Sequence, residues 1–457
     1  MNAQSDPPQG LEEAPRPDGR LLSDRLSIGR LVAYALPAAP IVAIDTPISI
    51  YLPSFYASTG ALGLSLIGSL VLAARLAEIP ITLVAGAASD RLGPPGRRRR
   101  LWLAAATPVV MLAIWRLFIP PARPDAAYLL VWLMMSILGG VMLYINHIAW
   151  GSEAARGYDD RSRIQAARQA ASVAGLLLVL LPPILIERTH PPDLERARMA
   201  AIAGFFLILL PLCVTLALRF APERPQASQT APPAGAGERP TFAAVVRALT
   251  TDRALRRLIL VDLLDSGSIG VVTSLFVFLS RDIWRLGGLT SLLLLAYLGC
   301  GLVGLGPLMR IIRGRSKARA AAWMAIGISA ALPGLALVPP GGAAIALVAI
   351  LLLGFPSAAN TALFDSMMGD IAAADARTGG KSRAGLYYAL HMVVGRLGRG
   401  AAIAAAFWAL DQVGFHPGAA NPMGTTDAFR LIYVAAPMAL QLAMAALLWT
   451  YPEPERR

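Results

Sequence analysis

Long apolar stretches dominate the chain, and short segments that hold most of the charged residues separate them. A helix of about 20 apolar residues crosses the ~30 Å hydrocarbon core of a bilayer. Twelve stretches approach or exceed this length, and we number them spans 1 to 12. The pattern predicts an all-α integral membrane protein, with spans at roughly 32–56, 61–86, 101–119, 126–150, 165–187, 198–218, 258–280, 288–309, 320–338, 343–366, 384–410 and 428–450.

The segment between spans 6 and 7 differs in composition from the rest. Ala221–Phe242 is rich in proline, alanine and glycine and has no hydrophobic periodicity, which predicts a linker. It divides the chain into two six-helix bundles, an arrangement typical of transporters whose substrate site lies between two repeats. The predicted order is a cytoplasmic tail at 1–31, the N-terminal bundle at 32–220, a cytoplasmic linker at 221–254, the C-terminal bundle at 255–450 and a second cytoplasmic tail at 451–457.

The basic residues predict the orientation of the spans. Of 41 lysines and arginines, 30 fall in the two tails or in connections on the same side of the membrane as the tails. Another 8 fall on the opposite side of the membrane, and three arginines lie within spans. Cytoplasmic loops retain Lys and Arg, so both termini are predicted to be cytoplasmic. Because the net charge of +13 is spread between apolar stretches, it does not indicate a nucleic-acid partner.

Composition excludes a water-soluble protein. The chain is 56% hydrophobic and 15% charged, whereas soluble domains have about 25% charged residues. The first ~25 residues lack the apolar core of a signal peptide. Cys213 and Cys300 lie in separate apolar stretches, which does not suggest a disulfide framework. We therefore expect a monomeric, multi-pass protein of a bacterial inner membrane.

Several ionisable residues lie inside predicted spans, where each costs at least ~2.5 kcal/mol on insertion scales. Arg75 and Glu78 are three residues apart on span 2 and share a helix face. They form either a structural ion pair or a proton-responsive pair, and Thr82 on the same face favours the second alternative. The others are Asp45 in span 1, His147 in span 4, Asp262 and Asp265 in span 7, and His391, Arg396 and Arg399 in span 11.

Other polar residues are candidates for solute contacts. Asp45 lies among four prolines that interrupt span 1, which a membrane helix tolerates where neighbours or cavity water satisfy the freed carbonyls. Asn146 and Trp150 share a face of span 4, a combination that suits sugar recognition, although Trp is also common at membrane interfaces. Asp262 and Asp265 either line a cavity or form ion pairs with Arg396 or Arg399 of span 11. His391 is interpreted as a packed residue.

Two common sources of chemical activity are missing from the sequence. There is no G-x-x-x-x-G-K-[ST] phosphate loop, so ATP is not expected to drive the protein directly. There is also no H-E-x-x-H motif. The sequence predicts neither an enzyme nor a protein that needs a metal or another cofactor.

Two resemblances concern the connections between spans. Gly86, Asp90, Arg91 and Gly93, followed by Arg97–Arg100, resemble the G-x-x-x-D-R-x-G-R-R loop of the major facilitator superfamily. Further segments are similar to the glycoside-pentoside-hexuronide:cation symporter family, which includes melibiose permease. They are Trp150–Glu153, Tyr158–Arg163 with Arg168, Leu52–Ala57, the segment around Arg75, and Gly380–Tyr387.

The second resemblance implies a coupling site and a solute site. That family has R-x-x-D-x-x-x-D-P in span 2, where two carboxylates bind Na⁺, Li⁺ or H⁺. The matching positions here are Arg75, Glu78 and Thr82, so one acid remains and H⁺ is favoured over Na⁺ as the coupling ion. The implied solute site contains Asp45, Asn146, Trp150, Arg168 and Arg396, and Asp45 is also a coupling candidate. The implied cytoplasmic gate contains Asp90, Arg91, Glu153 and Arg161.

We therefore expect a secondary transporter that moves a glycoside or related small polar solute together with H⁺ by alternating access. One alternative keeps the fold and changes the cargo to a lysolipid or another amphiphile, because this site has fewer acids than a sugar site. A second alternative is an uncoupled facilitator. A third is a membrane sensor or assembly factor that transports nothing.

Overall fold

The computed structural model describes residues 27–452 except 61, 95–96, 155–157, 222–249, 251 and 380–383. The described chain contains helices and their connections and no β-strand. Twelve helices or groups of helices are long and apolar enough to cross a membrane, which confirms the predicted number and order of spans. The predicted linker and both predicted tails fall largely outside the described residues.

The N-terminal bundle contains nine helices that make six spans. Spans 1 and 5 consist of several helices each, and the other four are continuous. The helices are α1 Ile28–Ala35, α2 Ala38–Ala43 and α3 Asp45–Ser58 in span 1, α4 Leu64–Arg91 in span 2, α5 Arg98–Phe118 in span 3, α6 Ala126–Ala154 in span 4, α7 Tyr158–Leu178 and α8 Leu181–Thr189 in span 5, and α9 Leu194–Phe220 in span 6.

The C-terminal bundle contains seven α-helices among its described residues, and these again make six spans. The helices are α10 Arg253–Phe278, extended by a π-helix Leu279–Ile283, in span 7, a 3₁₀-helix Gly287–Leu289 and α11 Thr290–Ile312 in span 8, α12 Lys317–Ala336 in span 9, α13 Ala343–Gly354 and α14 Ser357–Gly379 in span 10, α15 Ala384–Gln412 in span 11, and α16 Met423–Trp449 in span 12.

Proline explains where spans are broken. A proline has no backbone N–H and its ring clashes with the carbonyl four residues earlier. Span 1 is interrupted at Pro37 and again at Ile44, and span 10 is interrupted beside Pro356. The second break in span 1 places Asp45 at the first position of α3. A charged side chain thus begins a helix at membrane depth.

Close contacts between spans 2 and 11 join the two bundles. A Cβ atom on Gly68 would lie 3.0 Å from the Cα of Ala404, and one on Gly400 would lie 2.9 Å from Cγ of Arg75. Spans 1 and 7 also meet, as do spans 5 and 8. The connections near residues 59–63, 119–125, 190–193 and 413–422 lie at one end, which we call the external end after the prediction from the basic residues. The opposite end is called the cytoplasmic end.

Candidate functional site

Five charged side chains meet between the bundles near the middle of their spans, and we call them the central cluster: Asp45, Arg75, Glu78, Arg396 and Arg399. Arg75 Nη2 lies 2.6 Å from Asp45 Oδ1, and Arg75 Nη1 lies 3.1 Å from Glu78 Oε2. From the other bundle, Arg396 contacts Glu78, and Arg399 Nη1 lies 3.5 Å from Asp45 Oδ2. Each carboxylate is therefore shared between an arginine of its own bundle and an arginine of the other.

Helix geometry positions these groups. Arg75 and Glu78, like Arg396 and Arg399, are three residues apart and therefore project from one face of their helix. Glu78 is 8% exposed in its side chain, whereas the Asp45 side chain is 44% exposed. The cluster thus has a buried carboxylate, which suits the binding of a proton, and an open carboxylate, which suits contacts with a solute. Neutralising either one removes an attraction between the bundles.

The structure brings part of the predicted coupling site together. The Arg75–Glu78 pair is present, and Asp45 joins it through Arg75 and through Ser49, whose Oγ lies 3.2 Å from Arg75 Nη2. Thr82 Oγ1 donates a hydrogen bond of 2.7 Å to the backbone oxygen of Glu78. The hydroxyl of Thr82 is thus directed at its own helix.

Three predicted solute residues lie outside the central cluster. Asn146 is wholly buried, accepts a hydrogen bond from Ser89 Oγ at 2.5 Å, and donates one to the backbone of its own helix. Trp150 is buried with its ring edge-on to Tyr34. Arg168 Nε donates to Gln165 at 2.9 Å. Their roles in solute binding stay predictions. Asp45 and Arg396 are the two residues of the predicted solute site that belong to the central cluster.

Two predicted gate residues converge on an arginine that the sequence did not single out. Arg99 lies 2.9 Å from Asp90 Oδ1 through Nη2, and 2.9 Å from Glu153 Oε1 through Nε. These contacts join the cytoplasmic ends of spans 2, 3 and 4. Arg91 and Arg161 are exposed at the same end of the molecule.

One interpretation of the arginines in span 11 is wrong. Arg396 and Arg399 form ion pairs with carboxylates of the opposite bundle and not with Asp262 or Asp265. The two aspartates instead face other groups of their own bundle. Asp265 accepts hydrogen bonds from Asn360 and Gln441, at 3.2 and 3.1 Å, and Asp262 lies 3.1 Å from His391. His391 is therefore part of a charged group and not simply a packed side chain.

Sequence reasoning missed a charge network at the external end. Glu187 and Arg198 form an ion pair of 2.9 Å, and both side chains are 0% exposed. Arg198 also lies 3.0 Å from Glu195, which in turn lies 3.3 Å from Arg281 of the C-terminal bundle. The spacing of Glu195 and Arg198 on one helix face was the available signal. The count of basic residues had assigned these arginines to external connections.

Hydrogen bonds extend this external network across the bundles. Glu187 accepts hydrogen bonds from the backbone N–H of Ser291 at 3.0 Å and from its hydroxyl at 2.6 Å. Arg198 donates to the backbone oxygen of Gly287 at 3.0 Å, and its guanidinium lies over the ring of Tyr51. The external end is therefore closed by buried polar contacts between the two bundles.

Solved structures of transporters share this architecture. The nucleoside transporter NupG matches with a TM-score of 0.69 and 12% identity, covering 93% of this chain and 100% of that one. A D-xylose-proton symporter matches with a TM-score of 0.65 and 16% identity, covering 93% and 97%. A bacterial homologue of the human lysosomal transporter Spinster, inward-facing and unoccupied, matches with a TM-score of 0.61 and 14% identity, covering 92% and 93%. At these identities the likeness shows the fold.

Two six-span bundles that meet around the central cluster define the major facilitator fold. No curated protein sequence matches the chain significantly. A model of the MFS/sugar transport protein family matches residues 33–455, so the chain belongs to that family. The family makes the chain a secondary transporter, which is a multi-pass membrane protein that takes a small-molecule substrate and is not an enzyme.

Proposed function

We propose that the protein is an H⁺-coupled symporter of a glycoside or related small polar solute, located in a bacterial inner membrane. The observation that carries this proposal is the sharing of Asp45 and Glu78 between arginines of the two bundles. A proton or a solute that engages these carboxylates competes directly with contacts that hold the bundles together. Ligand binding is thereby linked to movement of the bundles.

Glu78 is the proposed proton site. Its two oxygens face Arg75 and Arg396, and protonation removes the charge that attracts both guanidinium groups. Sodium would need several oxygen ligands, but each oxygen of Glu78 already faces a guanidinium group, which repels a metal cation. A single buried carboxylate is sufficient for a proton. The geometry of this site therefore favours H⁺ over Na⁺.

Asp45 is the proposed solute-binding carboxylate. Its exposed side chain can accept hydrogen bonds from solute hydroxyl groups, and bonds to a charged acceptor are stronger than those between neutral groups. Arg396 and Arg399 are 38% and 33% exposed and can donate to solute oxygens. A polyhydroxylated solute matches this mixture of one acceptor and two donors.

Alternating access requires that each end of the solute path closes in turn. The external end is closed here by the network of Glu187, Arg198, Glu195 and Arg281. We assign closure of the opposite end to the region of Asp90, Glu153 and Arg99, together with Arg91 and Arg161. In this cycle, solute and proton leave the central cluster while the external network is intact.

The test uses proteoliposomes that contain wild-type protein, Glu78→Gln or Asp427→Asn. Asp427 is the matched control because it is a 72% exposed carboxylate at the external end of span 12. Pools of glycosides, pentosides and hexuronides are added to lightly buffered vesicles while external pH is recorded. We expect alkalinisation with wild type and Asp427→Asn, and its loss with Glu78→Gln.

Three results would contradict the proposal. If labelled solute crosses without proton movement in the wild type, the protein is an uncoupled facilitator. If only lysolipids, added in a separate arm, are moved, the protein carries amphiphiles. Equal alkalinisation by Glu78→Gln and wild type would exclude Glu78 as the coupling site.

A further inference from the structure

A second group of titratable side chains lies within the C-terminal bundle. His391 of span 11 stands between two carboxylates from neighbouring spans. Its Nδ1 lies 3.1 Å from Oδ2 of Asp262 in span 7, and its Nε2 lies 3.4 Å from Oδ1 of Asp365 in span 10. Both ring nitrogens thus lie within ion-pair distance of a carboxylate oxygen, and Nδ1 and the facing Oδ2 of Asp262 are buried without a hydrogen-bond partner among the described residues.

This arrangement requires an additional proton. A neutral imidazole has one N–H and one lone pair, so one of its nitrogens would face a carboxylate oxygen with no proton between them. A proton on the second nitrogen, or on the facing carboxylate, removes this repulsion. The three side chains therefore form a site whose chemically matched ligand is H⁺. Among the described residues, no group of three or more His, Cys, Asp or Glu side chains is arranged to hold a metal ion.

The three side chains form a path from the surface of the C-terminal bundle into its interior. The exposed fraction of the side chain falls from 59% at Asp365 to 17% at His391 and 7% at Asp262. A histidine can accept a proton on one ring nitrogen and release one from the other, which makes it a proton shuttle. A proton that arrives at Asp365 can pass through His391 to Asp262 once side-chain rotation aligns each N–H group with a carboxylate oxygen.

The buried end of this path approaches the central cluster. Oδ2 of Asp262 lies 3.5 Å from the position of a Cβ atom on Gly395. The next residue on span 11 is Arg396, which contacts Glu78. The path therefore ends beside the helix segment that carries the arginine partner of the proposed coupling carboxylate.

Other polar and charged groups of the described chain surround the path. Asp265 of span 7 accepts hydrogen bonds from Asn360 of span 10 and Gln441 of span 12, so its carboxylate is already engaged. On span 11 itself, the hydroxyl of Tyr388 donates to the backbone oxygen of Asp365 at 3.5 Å. The positive charges on that helix, Arg396 and Arg399, are engaged with the N-terminal bundle. His391 is the described group that connects the exposed and buried aspartates.

We propose that Asp365, His391 and Asp262 form a second proton-binding site, which transfers protons between solvent and the central cluster. This proposal rests on the proposed proton coupling for its role in transport. The existence of the site does not depend on that coupling. The site uses no residue of the N-terminal bundle.

The first arm of the test observes the proton directly. The chain has four histidines, so [¹⁵N]histidine labelling and solid-state NMR in proteoliposomes give few signals, and His391→Gln identifies the one of interest. We expect both nitrogens of His391 to be protonated at about pH 7, and the signal to change in Asp262→Asn and in Asp365→Asn. A neutral His391 that neither substitution affects would overturn the proposal.

The second arm measures solute-evoked proton uptake with the pool that is active in wild type. We expect His391→Gln and Asp365→Asn to slow it by about tenfold or more, as for loss of a proton-transfer group. His416→Gln, at an exposed external histidine, is the control and should match wild type. If His391→Gln does not fold, Asp365→Asn alone decides, because that carboxylate is largely exposed.

The two arms distinguish this proposal from the proposed function. Wild-type proton uptake that is unchanged in both His391→Gln and Asp365→Asn overturns the transfer path and leaves Glu78 coupling intact. Absence of proton movement in wild type overturns the proposed coupling, and the NMR arm then decides alone whether the second site exists.

Discussion

The buried pair of Glu187 and Arg198 permits a quantitative prediction about closure of the external end. Arg198→Met removes the positive partner but leaves Glu187 without exposure to water in the closed conformation. Removal of one partner from a buried ion pair costs about 3–5 kcal/mol. Opening of the external end would let water reach Glu187, so this cost falls on the closed conformation alone.

The expected shift follows from that free energy. Each 1.4 kcal/mol changes an equilibrium tenfold, so the population open to the outside should rise at least about a hundredfold. Hydrogen bonds from Ser291 continue to stabilise the Glu187 carboxylate in the closed form. For that reason we expect a cost of about 3 kcal/mol, at the lower end of the range for removing one partner of a buried ion pair.

A cysteine at Ser54 can report this opening. Ser54 lies in α3 near the external end, it is 0% exposed, and its Oγ has no hydrogen-bond partner among the described residues, so cysteine should fit there. The chain has two other cysteines, Cys213 and Cys300, which are replaced first. The rate of alkylation by a membrane-impermeant maleimide added outside then follows the open population.

The control substitution is Arg196→Met. Arg196 pairs with Asp193 at 3.3 Å, but the side chains are 60% and 59% exposed, and such pairs contribute about 0–1 kcal/mol. We expect a large rise in alkylation rate for Arg198→Met and little change for Arg196→Met. Equal rates for the two variants would refute the assignment of Glu187 and Arg198 to external closure.

Two further predictions concern stability and are read from thermal unfolding of the purified protein. Gly175→Ala should lower the free energy of unfolding by about 1–3 kcal/mol because the new Cβ would lie 2.2 Å from the backbone oxygen of Ala39. The control is Gly140→Ala, which should not lower it because nothing lies within 4 Å of its Cβ position. Equal unfolding temperatures for the two variants would contradict this packing. Arg99→Ala should lower the free energy of unfolding by about 1 kcal/mol because two carboxylates share this guanidinium. Arg91→Ala, at an exposed position, should change it by less than about 0.5 kcal/mol. A larger loss of stability for Arg91→Ala than for Arg99→Ala would contradict the arrangement.

The fold was largely predictable because insertion in a bilayer imposes a long apolar stretch on each span. The differences lie at the ends of the spans. The helix of span 5 begins at Tyr158, seven residues before the predicted start, and span 10 extends to Asp375. Helices continue beyond the hydrocarbon core into polar sequence, where hydropathy no longer marks them.

The central cluster was only partly predictable for a geometric reason. Spacing along one helix revealed the Arg75–Glu78 pair, because residues three apart share a face. The partners from span 11 depend on the close approach of two distant helices, which Gly68 and Gly400 permit. A single sequence does not show which arginine meets which carboxylate. The interpretation that paired Arg396 or Arg399 with the aspartates of span 7 was wrong for that reason.

The external network was missed because short polar segments between spans are normally exposed. Glu187 lies near the end of α8 and Arg198 near the start of α9, and the connection between the two helices is short. The contacts with Gly287 and Ser291 then bury the pair. Burial of these charges is a property of the assembled bundles and not of either segment alone.

The most direct test of the account is the ratio of protons to solute molecules moved, measured in the same vesicles for wild type and Glu78→Gln. The account predicts a constant ratio near one for the wild type. It predicts a ratio near zero for Glu78→Gln, with exchange of labelled solute retained. A wild-type ratio of zero, or an unchanged ratio in Glu78→Gln, would contradict the central claim that the carboxylate shared by the two bundles carries the coupled proton.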